Sequence, residues 1–169
     1  MRASNRDTLL AVSEFHVEKG RADAVITLSD GSSVHGSFFV AGSSSTHHRP
    51  ERVKDVLSAD PFFPFEVGGA GTERTVLYNR AHIVMVKLGD EDEPRQDPAY
   101  EVATRRSVSM LLSNGSRVLG TVLVHRPHGH DRLSDFARSS ETFRYVEIRG
   151  GTLIVNAAHI IELSETTEP

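Results

Sequence analysis

Apolar residues in this chain fall into short runs that are broken at matching places by turn-forming pairs. In "VITLSDGSSVHGSFFV" (25–40) two apolar runs flank Asp30-Gly31, and in "SMLLSNGSRVLGTVLV" (109–124) two more flank Asn114-Gly115. Such a pair between apolar runs predicts a β-hairpin, with a type I′ turn that needs positive φ at both central residues. Further along, "RPERVKDVLSAD" and "HDRLSDFARSS" predict a short helix each, and "PFFPFEV" and "TFRYVEI" a third strand. The run "TVLYNRAHIVMVKL" supplies a fourth and a fifth strand, with Asn-Arg-Ala-His-Ile at their junction. The same junction is spelled Asn-Ala-Ala-His-Ile at 156–160. Near the N-terminus, "NRDTLLAVSEFHV" reads either as a short helix capped by Asn5 or Asp7 or as a strand.

The pattern is written twice. Residues 25–40 align with 109–124, 52–57 with 132–137, 65–67 with 146–148 and 75–86 with 152–163, with offsets of 84, 80, 81 and 77. The offset changes only across loop-like stretches, where insertions are tolerated. Four blocks in one order point to an internal duplication. The division is a lead-in (1–21), a first unit (22–88), an acidic linker (89–103), a second unit (104–165) and a tail (166–169). With its prolines and acidic residues, the linker reads as an exposed connector. Each unit is small for an independent core, so the two are expected to pack on each other or on another subunit.

A five-stranded antiparallel unit that opens with a hairpin and ends in a tight turn is a small barrel. The blocks "ITLSDGSSVHG" and "MLLSNGSRVLG", followed by "VLYNRAHIVMV" and "LIVNAAHIIEL", resemble the two motifs of the Sm-like fold. That resemblance implies a mostly β chain of two tandem five-stranded Sm-like barrels, each with a short helical turn. It also implies edge strands free to pair, and hence a protein partner or self-association through them. The RNA-binding members of the family carry an Asp-apolar-x-x-x-Asn stretch and an Arg-Gly or Lys-Gly pair in the last turn. Here "RVKDVL" and "RLSDFA" replace the first, and Asn79-Arg80 and Asn156-Ala157 the second, so the uridine pocket is not written in either copy. The chain is also similar to bacterial proteins of unknown function that share an "RLSD" segment and an "N-x-x-HI" end. A weaker resemblance, to the cyclic-dinucleotide signature of PilZ domains, rests on Arg2, Arg6, Asp30 and Ser32. Its glycine arrives one residue late, at Gly36, which on a strand reverses the side-chain direction.

Composition narrows the chemistry. The 169 residues include no cysteine, so disulfides, thiolate nucleophiles and Cys-based metal sites are excluded. A net charge of −4 argues against a broad phosphate-binding surface. No apolar run is long enough for a membrane helix and no secretory signal is apparent, so a cytoplasmic protein without membrane insertion is expected. Nine histidines remain as candidate chemistry. His125, His128, His130 and Asp131 could ligate a metal, and His47 and His48 occupy the equivalent loop. Asn79, His82, Asn156 and His159 read as structural turn residues, because Asn bonds its own backbone and His can close the turn. Arg52 with Asp55, and Arg132 with Asp135, are placed i, i+3 for a local ion pair on a helical turn. Arg80, Arg105, Arg106, Arg117 and Arg126 are the basic groups available to a nucleic acid. No nucleophile and base recur together, and no cofactor motif is present. The expectation is a non-catalytic binding or scaffold protein; the alternative is an RNA- or nucleotide-binding regulator.

Overall fold

A computed structural model describes residues 19–42, 49–69, 71–125, 129 and 132–167. The first half runs β1 (Lys19–Leu28), β2 (Ser33–Ala41), α1 (Val53–Ala59), β3 (Phe62–Val67), β4 (Arg74–Asn79), a 3-10 turn (Arg80–His82) and β5 (Ile83–Leu88). The second half repeats the succession as β6 (Thr104–Leu112), β7 (Arg117–Val124), α2 (Leu133–Ala137), β8 (Phe143–Ile148), β9 (Gly151–Asn156), a 3-10 turn (Ala157–His159) and β10 (Ile160–Glu165). The ten strands of the described residues join one antiparallel sheet in the order β10-β6-β7-β8-β9-β5-β1-β2-β3-β4. Two tandem five-stranded barrels were expected; the ten strands instead form a single unclosed sheet. Each half contributes five neighbouring strands, but its fourth and fifth strands lie at opposite ends of the five. The sheet is continuous because β5 pairs with β9 across the halves.

The hairpins form where Asp-Gly and Asn-Gly stand, although the turns differ from the expected type I′. Gly31 N–H donates to Leu28 O and Leu28 N–H to Ser32 O, so the loop has three residues, with Gly31 at φ 87° in its last position. The second hairpin repeats this with Leu112, Ser116 and Gly115 at φ 83°. Only the glycine needs the left-handed region; Asp30 and Asn114 act through their side chains, accepting from the N–H of Ser32 and Ser116. Gly36 has a different role from the one a binding signature would give it. A Cβ there would lie 2.0 Å from Glu66 O, and one at Gly120 2.5 Å from Glu147 O, so these glycines let the second strand of each half pass close to the third.

Two apolar cores lie on the sheet. The first gathers Ile26, Phe38, Phe63, Phe65 and Val86 under α1, with Val53 and Leu57 of the helix inserted. Phe38 stacks on Phe63 at 5.2 Å and meets Phe65 edge-on at 5.0 Å. The second core gathers Val108, Met110, Val122 and Val146 with Phe136 of α2. Strand β9 serves both: Ile154 enters the first core, whereas Leu153 and Val155 enter the second. Strand β5 does likewise through a bulge at its start, which sends Ile83 to the first core and Val84 to the second.

The 89–103 segment is mostly exposed, but it is more than a passive connector. It folds into 3-10 turns at Glu93–Gln96 and Tyr100–Val102 and buries Glu93, Pro94 and Tyr100. Glu93 is buried because its carboxylate accepts from the N–H of Val53 and Lys54, the orphan donors of the α1 N-terminus, and from the Tyr145 hydroxyl. Among the described residues, no helix is long and apolar enough to cross a membrane.

Candidate functional site: one junction and two free edges

The two N-x-A-H-I turns meet the rest of the molecule differently. Locally they are alike. Asn79 Oδ1 accepts from Ala81 N–H and Asn156 Oδ1 from Ala158 N–H, which starts each 3-10 turn. His82 Nδ1 lies 3.1 Å from Ser29 Oγ and His159 Nδ1 2.6 Å from Ser113 Oγ, tying each turn to the first hairpin of its own half. The second turn, however, also docks on the first. The side-chain amide of Asn156 donates to Ile83 O at 2.9 Å, and His159 Nε2 lies 2.8 Å from Ala81 O. A carbonyl only accepts, so in the neutral ring the proton sits on Nε2 and Nδ1 accepts from Ser113. With Met85 opposite Val155, Val86 opposite Ile154 and Lys87 opposite Leu153, these bonds fix the β5–β9 junction.

The outer edges of the sheet, β4 and β10, are the counterparts of the two strands that meet at that junction. Among the described residues they have a neighbour on one side only. Leu77, Ile161 and Phe62 are 66%, 66% and 55% exposed, whereas the residues at the equivalent places, Ile154, Val84 and Phe143, are 0%, 0% and 1% exposed. Ile161 sits in a bulge of β10, as Val84 does in β5, and points an apolar side chain at solvent. Among the described residues, Asn79 and His82 make only their local bonds.

The other sequence candidates are scattered. Asp55 accepts from Arg52 N–H at 2.9 Å and Asp135 from Arg132 N–H at 3.1 Å, so each aspartate caps its helix. The expected Arg52–Asp55 ion pair is present at 3.5 Å, and Arg49 adds a closer, hydrogen-bonded pair at 2.7 Å. Burial pushes the Asp55 carboxyl up; the Arg49 hydrogen bond, the Arg52 N–H and the two positive charges overcome it and hold it down to about 2. His128, His130, Asp131, Arg126, His47 and His48 lie outside the described residues, as do Arg2, Asn5, Arg6 and Asp7. His125 is exposed at the end of β7. The remaining arginines do not form one patch. Arg80 donates to Leu57 O and Ser58 O, Arg105 covers the Tyr100 ring, Arg106 pairs with Glu165, and Arg117 with Glu162. Arg105 and Arg117 sit near opposite ends of the β6–β7 hairpin.

Two buried polar groups escaped the sequence reading. Burial pushes the Glu93 carboxyl above its ordinary range, although the Tyr145 hydroxyl and the α1 N–H groups oppose it. Burial, together with the Glu93 charge, in turn pushes the Tyr145 phenol up. Arg144 is buried against Phe136, and its guanidinium donates to Phe136 O, Ser139 O and Glu141 O, closing the loop after α2. Comparison with protein-family models, curated proteins and solved structures finds no match.

Proposed function

We propose that this chain is a non-catalytic scaffold of two duplicated Sm-like units that assembles with further copies of itself through its free edges. What supports this reading is the contrast between edge and junction. Burying the exposed part of Leu77, Phe62 and Ile161 would contribute about 1–2 kcal/mol each. Repeating the inner junction between copies places β10 of one chain along β4 of the next, with Glu162 opposite Tyr78, Leu163 opposite Leu77 and Ser164 opposite Val76. Asn79 then reaches Ile160 O, and His82 Nε2 reaches Ala158 O. The two edges differ, so the contact is head-to-tail and propagates until a ring closes or a filament forms.

Sedimentation of the purified chain tests this. The expected result is a species of several chains that the Leu77→Asp and Ile161→Asp substitutions each reduce to a folded monomer. A wild-type monomer at high micromolar concentration would overturn it.

A further inference from the structure

A groove of about 720 Å³ opens on the sheet where the two halves meet, within the roughly 300–1,000 Å³ that small-molecule sites occupy. Its first wall is a cross-strand row in which His35, Val25, Lys87 and Leu153 stand side by side on β2, β1, β5 and β9. Met85 extends the apolar part of that wall. The second wall comes from the start of β7, with Arg117 and the exposed Leu119, and from the β8–β9 turn, with Ile148 and Arg149.

The charge of this lining runs against the composition of the chain. Asp and Glu number 23 against 19 Lys and Arg, yet the groove is lined by Lys87, Arg117 and Arg149 and, among the described residues, by no carboxylate. Lys87 and Arg149 form no ion pair or hydrogen bond among the described residues. Arg117 is held at the rim by Ser109 Oγ at 3.0 Å and Glu162 at 3.3 Å. The repeated frame does not require these cations, because the aligned positions of the other unit are Ser164, Ser33 and Gly68. Unpaired cations beside an apolar wall attract a ligand that brings both a negative head and an apolar body.

We propose that this groove binds a small amphipathic organic anion, its apolar body against Val25, Met85 and Leu153 and its carboxylate or phosphate between Lys87 and Arg149. The site lies inside one chain and does not depend on self-assembly.

Titration of the full-length protein with 1-anilinonaphthalene-8-sulfonate, an apolar ring system carrying one anionic group, tests the proposal. The expected result is saturable binding that weakens at least tenfold in the Lys87→Gln, Arg149→Gln double variant. Both residues are exposed, and the variant's melting temperature and sedimentation should match wild type, which separates loss of this site from loss of the scaffold. Displacement of the dye by decanoate would assign the head to an acyl carboxylate, and displacement by adenosine monophosphate to a phosphate. Equal dye binding in the double variant, or displacement by neither competitor, would overturn the proposal.

Discussion

The β5–β9 junction and the β4 and β10 edges use nearly the same residues with opposite outcomes. At the junction, Asn156 and His159 reach across to Ile83 O and Ala81 O, and Ile154 and Val84 are fully buried. At the edges, Asn79 and His82 stop at their own turn, and Leu77 and Ile161 face water. The local sequence therefore sets the turn, and the neighbouring strand decides whether the turn becomes an interface. A five-stranded unit of this order has two edges, and joining two units satisfies only one edge of each.

Substitutions at paired positions should separate the two regions most sharply. Ile154→Asp places a charge among fully buried side chains and is expected to cost about 4 kcal/mol or more, leaving little folded protein. Ile161→Asp should abolish association while leaving the unfolding free energy within about 0.5 kcal/mol of wild type at dilutions where neither chain associates. A smaller contrast is expected at the asparagines, measured in the Ile161→Asp background so that assembly does not contribute. Asn156→Ala strands a buried carbonyl as well as a turn N–H and should cost about 2–3 kcal/mol; Asn79→Ala removes only the cap, about 1 kcal/mol.

The smallest effects concern pH and the polar seam between the halves. Asp55 titrates lower in the folded chain, about 2 against an ordinary 3.8. Its contribution is therefore present above about pH 4 and lost as pH falls through about 2. Glu93 is shifted up from 4.5, so the stability it contributes is present below that value and declines as pH rises through its folded value. Urea midpoints followed against pH should lose their acid limb in Asp55→Asn and flatten above about pH 4.5 in Glu93→Gln. An unchanged profile in either variant would remove that carboxylate from the explanation.

Much of the local structure was legible in the sequence. Asp30-Gly31 and Asn114-Gly115 mark both hairpins, and Asn79 and Asn156 mark the turns they cap. The turn type was not legible, because Leu28 and Leu112, not Ser29 and Ser113, supply the closing carbonyls. The single sheet was hidden for a more general reason. Pairing of β5 with β9 runs through backbone groups that every residue carries, so side-chain patterning does not say which edge meets which. Continuous burial along β9 left its trace in the unbroken apolar run "LIV", which the equivalent "VLY" of edge strand β4 shares although its Leu77 lies exposed. Glu93 misled because acidic, proline-bearing composition is shared by loops and by segments whose carboxylate caps a helix. Only the position of α1 distinguishes them.

The proposed register can be read directly by cross-linking, since the chain has no cysteine of its own. Leu163→Cys and Leu77→Cys chains, mixed and oxidised, would bring Cα atoms to about 4.5–5.5 Å if the inner junction is repeated between copies. A disulfide-linked pair is expected from that mixture. None is expected when Ser164→Cys replaces Leu163→Cys, because one residue along a strand turns the side chain to the other face. Efficient linking of both mixtures, or of neither, would contradict the assembly of this chain through β4 and β10.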